Sequence, residues 1–483
     1  MTLHLHDTMT RRLQPVEPLH DQEIRIYTCG PTVWNRVHIG NFRTFIFEDV
    51  LRRWLDRRFA HVTHVMNLTD VDDRILRNAR EHGHSLDEET APWIAAFFED
   101  RDTLGIRPAH HYPRATEYVE QMVALVQRLE RADVAYESEG SYYFRISSFP
   151  QYGRLSGLSA QGLIAGASGR VDADDYTKDD VRDFALWKAV PPGEAGWDTS
   201  LGRGHPGWHI ECSAMSMTLL GETLDIHCGG VDNIFPHHEN EIAQSEAATR
   251  QQFVRVWCHS EHLRIAGEKM AKRTGNFFTV PDVIEQGASP AALRYLLAAS
   301  THYRKPLNYS DEPLAASHEA VDRLVGFRDR VAALHVDEGG DRRDDAVLTS
   351  VREARNAFDE AMDDDLNLPE AMGAVFAALR EINRVLDAGA VGEEARDGMR
   401  SLLGEVDDVL GVFHLVDRER NRAGGLNAED QQLLDHRDRA RAERNFAEAD
   451  RLRQELANRG VTVEDTPSGQ HWKRAREAPS PAR

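Results

Sequence analysis

Glu23-Ile-Arg-Ile-Tyr-Thr-Cys-Gly-Pro-Thr32 is the stretch that decides the fold class. Polar and apolar residues alternate from Glu23 to Thr28 in the manner of a strand, and Cys29-Gly-Pro-Thr turns the chain. From about Asn41 the apolar positions Phe42, Phe45, Val50, Leu51 and Leu55 recur at helical spacing. A second strand, His61-Val-Thr-His-Val-Met66, ends in Asn67-Leu-Thr-Asp70 and leads into a helix from about Val71 to His82. Strand, turn, helix, strand, helix is the opening of a parallel α/β sheet. Ligands of such sheets sit beyond the carboxyl ends of the strands, where Cys29 and Thr69 would lie.

Beyond residue 120 that pattern is interrupted. A helix from Val119 to Ala132, a short aromatic strand (Ser141-Tyr-Tyr-Phe-Arg145), a Gly/Ser-rich stretch from Ser156 to Gly169 and an Asp-rich segment read as an insertion. The α/β signature resumes near His209, with Phe253-Val-Arg-Val-Trp257 as a further strand. Gly202-Arg-Gly-His-Pro-Gly207 matches G-x-G-x-x-G, but it neither follows a strand nor properly opens a helix, so it reads as a chance match. From about 316 to 415 the sequence turns helical. The expected units are a first half of the sheet domain (1–120), the insertion (121–200), a second half (201–260), a loop region (261–315), a helical bundle (316–415) and, past the Gly424-Gly425 linker, a small C-terminal domain (425–483) with a helix from Asn445 to Arg459.

With 483 residues the chain is too long for a single core. No apolar run approaches the ~18 residues that would span a bilayer, and the N-terminal stretch lacks the apolar core of a secretory signal. The expectation is a cytoplasmic protein without membrane contact. The four cysteines Cys29, Cys212, Cys228 and Cys258 include no CxxC pair and are too few for a disulfide scaffold. A net charge of -22 argues against a broad basic surface for coating nucleic acid. The charge is uneven: from Val416 onward 14 Lys/Arg face 13 Asp/Glu. A polyanion would find its footholds mostly near the C-terminus.

Phe235-Pro-His-His-Glu-Asn-Glu241 carries the metal signal. Proline followed by polar residues suits a helix start, which puts His237 and Glu241 at i and i+4 on one face about 6 Å apart. A His/carboxylate pair at that spacing is half of a zinc site, and thiolates from Cys29 and Cys212, both expected on the ligand side of the sheet, would complete a tetrahedral set. His238 with Glu239 or Asn240 shares no face in this way. The plainer reading is an exposed, solvated helix start.

Two further pieces suit a nucleotide. Val37-His-Ile-Gly-Asn41 places His38 at a helix N-terminus, where Gly40 lets the backbone approach a phosphate. Gly267-Glu-Lys-Met-Ala-Lys-Arg-Thr-Gly-Asn276 puts Lys269, Lys272 and Arg273 in a glycine-bounded loop able to close over a triphosphate. No GxxxxGK[ST] appears, so a P-loop is excluded. The plainer reading of each is a solvated basic turn.

In order, Cys-Gly-Pro-Thr, His-Ile-Gly-Asn, Asn-Leu-Thr-Asp-Val-Asp-Asp, Pro-Gly-Trp-His-Ile-Glu-Cys-Ser, Phe-Pro-His-His-Glu-Asn-Glu and Lys-Met-Ala-Lys-Arg resemble the cysteinyl-tRNA synthetases, class I enzymes with a Rossmann-type parallel-sheet catalytic domain. The likeness is dense from about Ile24 to Tyr309 and looser beyond. It implies an ATP-dependent ligase that forms cysteinyl-adenylate and passes cysteine to tRNA(Cys), with one zinc ion on Cys29, Cys212, His237 and Glu241, and Mg²⁺ with the ATP. It also implies His38, Asn41, Lys269, Lys272 and Arg273 at the ATP. Of these, His38, Lys269 and Lys272 would stabilise the transition state. Trp208 would wall the cysteine pocket, with Thr69, His227 and Asp232 nearby. The end of the chain, with Gln470-His-Trp-Lys-Arg474, would read the anticodon, and the enzyme would act as a monomer. Two departures stand out: Asn41 replaces the second histidine of His-Ile-Gly-His, and Ala271 and Arg273 replace the serines of Lys-Met-Ser-Lys-Ser. The rival readings are the related ligase that joins cysteine to an amino sugar in mycothiol synthesis, and a catalytically silent paralogue.

Overall fold

Burial alternates at the start of Glu23–Thr28 and becomes continuous toward its end, as a strand covered on both faces requires. In this computed structural model, which describes residues 2–158, 178, 180, 182–191, 193–265, 267–269, 277–336, 342–422, 428–443, 445–466 and 469–474, that strand is the hub of the sheet. From it (β1, Glu23–Thr28) the chain enters helix α1 (Ile39–Arg58) and returns as β2 (His61–Met66), paired with β1 in parallel from Glu23↔His61 to Thr28↔Met66. A second set follows the insertion: α2 (Trp208–Leu220), β3 (Leu224–Gly230), α3 (Glu239–Thr249) and β4 (Val254–Ser260).

The strands lie in the order β4-β3-β1-β2, all parallel. β1 therefore hands the chain to one side of the sheet and β3 to the other. Beyond their carboxyl ends the connections part and leave a crevice, the usual ligand position of an open α/β sheet. Gly30 lies where the exits of β1 and β2 nearly touch, and a Cβ on it would overlap the Asn67 carbonyl. This is the Rossmann-type architecture expected. The helix expected from Val71 starts at Asp73 because Asp72 caps it, accepting from the Ile75 N–H at 2.6 Å.

The insertion forms a five-stranded sheet of antiparallel pairs, ordered Ala135–Ser138, Ser141–Phe144, Phe184–Ala189, Gly202–Pro206, Trp197–Thr199. The Gly202–Gly207 stretch is thus a strand of this sheet that leads directly into α2, with Gly207 at the N-cap. It does open a helix, contrary to the sequence expectation, but not as a phosphate-binding turn. Gly207 is required because a Cβ would overlap the Ala185 carbonyl of the neighbouring strand.

Helices Asp311–Ala332, Arg342–Asp363, Leu368–Ala388, Glu393–Leu410 and Phe413–Arg422 follow. They share one continuous core with α1, and α1 is tied to them by charge. Asp49 accepts from Arg53 at 2.8 Å and Arg294 at 2.5 Å, and both arginines also donate to carbonyls, Arg53 to Gly105 and Asp408, Arg294 to Leu104 and Leu410. Asp49 and Arg294 are fully buried. The C-terminal unit pairs Val461–Thr466 with Gly469–Arg474 beneath helices Ala428–Ala442 and Phe446–Asn458, around Leu434, Leu456, Val461 and Val463. The backbone of Trp472 pairs there with Val463, while its side chain lies outside the described residues.

Candidate active site

Four donors from three elements meet at the crevice. Cys29 leaves the end of β1, Cys212 sits in α2, and His237 and Glu241 flank the start of α3. One ligand atom from each lies within 4.8 Å of the others. The i,i+4 relation holds, with His237 Nε2 3.1 Å from Glu241 Oε1. Regular helix begins only at Glu239, after an irregular turn over Ile234–His238 that includes a cis Phe235–Pro236 bond. The plainer reading of a solvated helix start fails, because His237 and Glu241 are 1% and 0% exposed.

The surroundings suit a cation. Glu241 Oε1 is buried without a hydrogen-bond partner, although a histidine nitrogen stands 3.1 Å away. A buried carboxylate oxygen left unpaired beside an imidazole nitrogen is an arrangement that a shared metal would explain. Without an ion, burial pushes the Cys29 thiol well above its usual range, with Cys212 adding to the effect. Burial also raises Cys212 and Glu241 and drops His237 well below an ordinary imidazole. Burial thus disfavours the charged form of all four donors, and a bound divalent ion would reverse that tendency.

Neighbours fix the donors. His237 Nδ1 is 3.0 Å from His209 Nδ1, which leaves Nε2 as the nitrogen that faces Glu241. Burial holds His209 down to about 3, so it stays a neutral imidazole. Gln244 donates to the His209 carbonyl and to Ser213 Oγ, both at 2.9 Å. Trp208 stacks on His237 with ring centres 4.3 Å apart. His227 Nε2 lies 3.0 Å from Glu241 Oε2, and its ring stacks on Trp257.

Sequence spacing missed His238. Its Nε2 is 3.2 Å from Cys29 Sγ, and its Nδ1 is 2.7 Å from Nε2 of His259, whose Nδ1 in turn lies 2.7 Å from Thr8 Oγ1. Cys29, His227, His238 and Glu241 form a second group with ligand atoms within 4.8 Å, sharing two members with the first. The available signals were its i,i+3 relation to Glu241, whose Oε1 lies 3.9 Å from His238 Nε2, and the trio of histidines His227, His238 and His259.

From the metal candidates an open cleft of about 550 Å³ runs to the start of α1, lined by Cys29, Trp208, Asp232, His38, Gly40 and Asn41 among others. His38 caps α1, its Nδ1 accepting from the Asn41 N–H at 3.2 Å. The Ile39 N–H donates to the Phe278 carbonyl at 2.9 Å, and His38 pairs with Thr279. The exit of the cationic loop is thus stitched to the histidine turn. Lys269 ends a short strand paired with Arg264, while Lys272 and Arg273 lie outside the described residues. Thr69 and His227 are absent from the cleft lining. Both are buried behind it, Thr69 Oγ1 accepting from Asn67 Nδ2 at 3.1 Å.

Comparison with known proteins shows the family. Residues 15–319 match the model for the class I (C) tRNA synthetase catalytic domain, 357–414 the DALR domain, and 423–472 the cysteinyl-tRNA ligase anticodon binding domain. The chain is 42% identical to the cysteine–tRNA ligase of Brachyspira hyodysenteriae, covering 97% of this chain and 98% of the relative. It is 44% identical to that of Symbiobacterium thermophilum, covering 98% and 100%. Among solved structures, Mycobacterium tuberculosis methionyl-tRNA synthetase in complex with methionyl-adenylate superposes with a TM-score of 0.56 at 15% identity, over 81% of this chain and 90% of that one. That last likeness speaks to the fold alone.

Proposed function

Since the chain belongs to the cysteine–tRNA ligase family, we propose that it activates L-cysteine with ATP and passes the cysteinyl group to tRNA(Cys), choosing its amino acid at the Cys29–Cys212–His237–Glu241 cluster. The observation that carries the choice of cluster is the buried, unpartnered Glu241 oxygen facing His237 beside two thiols. Zinc suits that donor set, and when bound it offers a site that a thiolate ligates far better than a hydroxyl, beyond the ~1–3 kcal/mol that a purely steric pocket gives against serine or alanine.

The chain's own residues do the rest. Trp208, stacked on His237, closes the amino-acid end of the cleft, with Asp232 also in its lining and Thr69 and His227 buried outside it. With cysteine so held, its carboxylate attacks the α-phosphate of Mg²⁺-bound ATP in line, and pyrophosphate leaves. His38, Lys269 and Lys272 stabilise the charge that develops, and Asn41 and Arg273 contact the phosphates. The terminal ribose hydroxyl of the tRNA then attacks the adenylate carbonyl and releases AMP. The C-terminal unit, within the 423–472 match, is the part proposed to hold the anticodon. This unit favours tRNA over an amino sugar as acceptor. Among the described residues no helix is long and apolar enough to cross a membrane. The proposal places the enzyme in the cytoplasm as a monomer.

The test is cysteine-dependent ATP–pyrophosphate exchange and charging of tRNA(Cys), with metal content, for the intact chain and Cys212→Ser. The variant is expected to lose bound zinc and preference for cysteine over serine. Retention of both overturns the cluster assignment. Exchange without transfer to tRNA would point to the sugar ligase, and no exchange at all to the silent paralogue.

A further inference from the structure

Away from the cleft, the helix Asp73–His82 ends at Gly83, which adopts the left-handed conformation at φ 69° and returns its N–H to Ala79 and Arg80. Ser85 then opens the helix Leu86–Thr103 through a capping box with Glu88. The tight turn brings His82 and His84, two residues apart, to the same side, and the first turn of the new helix raises Glu89 between them. His82 Nδ1 is 2.9 Å and His84 Nδ1 3.0 Å from the same oxygen, Glu89 Oε2. Both imidazoles are about half exposed, whereas the Glu89 side chain is only 6% exposed. Among the described residues, these two rings are the only basic groups within ion-pair distance of that carboxylate. A nearly buried carboxylate is thus faced by two imidazoles and by no lysine or arginine.

We propose that His82, His84 and Glu89 form a second metal site, independent of the Cys29 cluster, that takes a borderline divalent transition ion such as Zn²⁺, Co²⁺ or Ni²⁺. Two imidazole nitrogens and one carboxylate oxygen are a donor set for such ions, with water completing the shell. Hard Mg²⁺ and Ca²⁺ are disfavoured because they need oxygen ligands in larger number. Bonds of about 2.0–2.1 Å in a tetrahedron separate neighbouring ligand atoms by about 3.3 Å. The present 2.9 and 3.0 Å spacings therefore open by only a few tenths of an ångström. Each ring would ligate through Nδ1 and carry its N–H on Nε2, on an imidazole that is half exposed, with any further proton released to solvent, so entry of the ion replaces the two contacts to Glu89 without stranding a polar atom. The ion would join the helix Asp73–His82 to the helix Leu86–Thr103. The first of these carries Arg74, which lines the cleft and lies 4.2 Å over the Trp34 ring.

The test is equilibrium dialysis of the full chain, its Cys29 cluster already loaded, against Co²⁺ or Zn²⁺. A second equivalent with micromolar affinity is expected. Outer-shell changes alone cost metal sites about 10–100-fold, so loss of a ligand in His84→Ala is expected to weaken the second site by at least about tenfold. His84 is half exposed, and its replacement should leave folding and pyrophosphate exchange intact. Cys212→Ser should leave this second equivalent unchanged. Absence of a second equivalent in the wild type, or one that His82→Ala and His84→Ala do not weaken, overturns the proposal.

Discussion

Replacing His209 by phenylalanine removes the nitrogen that faces Nδ1 of the proposed metal-binding imidazole while leaving the Trp208 stack on that ring in place. The His209 ring touches His237 through a single 3.0 Å nitrogen–nitrogen contact, while its own backbone carbonyl is held separately by Gln244. Phenylalanine keeps the ring volume packed edge-on against Phe184, 5.7 Å away, and beside Trp208. What is lost is a neutral hydrogen bond, about 1 kcal/mol, together with the penalty for leaving His237 Nδ1 buried and unpaired, about 1–3 kcal/mol. Both losses fall on the state in which Nε2 faces the metal. Their sum, about 2–4 kcal/mol, is an upper limit because the metal-free state loses the same hydrogen bond; zinc binding is expected to weaken by about 10–100-fold, or about 1.4–2.7 kcal/mol, the range seen when outer-shell partners of metal-bound histidines are removed. Competition with a chromophoric chelator measures it, with thermal melting as a control for folding. Discrimination between cysteine and serine in pyrophosphate exchange should fall alongside. Zinc affinity within experimental error of wild type, in a protein that melts normally, refutes the assignment of His237 as an oriented ligand.

Asp49→Ala leaves Arg53 and Arg294 without their shared carboxylate, and should destabilise by about 3–5 kcal/mol in urea unfolding; a loss below about 1 kcal/mol would mean that their bonds to carbonyls satisfy the two buried guanidiniums without Asp49. His64 is buried against Thr28 and depressed to about 3, chiefly by desolvation and then by Arg52, so it folds neutral. Its contribution is complete above the unfolded value near 6.5 and is lost as pH falls from there toward 3, by up to about 1.4 kcal/mol per pH unit. His64→Gln should flatten the stability profile across that window, and an unchanged slope would show that His64 does not set it. Gly207→Ala pushes a Cβ into the Ala185 carbonyl and displaces the start of α2, which carries Trp208 and Cys212. Exchange kinetics should lose about tenfold or more in kcat/KM for cysteine, and unchanged kinetics would mean that the strand yields instead of the helix.

What could be read from residues alone divides along a physical line. The hub strand, α1 and the His237/Glu241 pair follow from periodicity within a dozen residues, and the structure places them as read. The histidine turn could be recognised as a helix start because a capping side chain and a glycine are local signals, and His38 does cap α1. The contacts that spacing could not supply are those made by sheet register. His227 and His259 stand on neighbouring strands, paired Cys228↔Cys258 between them, and His238 reaches both only because α3 returns across their ends. No interval along the chain encodes that meeting, since it depends on β3 lying between β1 and β4. The same reasoning explains why pairing His238 with Glu239 or Asn240 said nothing of its neighbours: helical spacing tests whether two residues share a face of one helix, whereas Cys29, 3.2 Å from His238, arrives from a strand 209 residues earlier. The Gly202–Gly207 stretch failed for the complementary reason. Gly204 and Gly207 answer to the close approach of a neighbouring strand, and that crowding, as with the Ala185 carbonyl against Gly207, exists only once the insertion has paired.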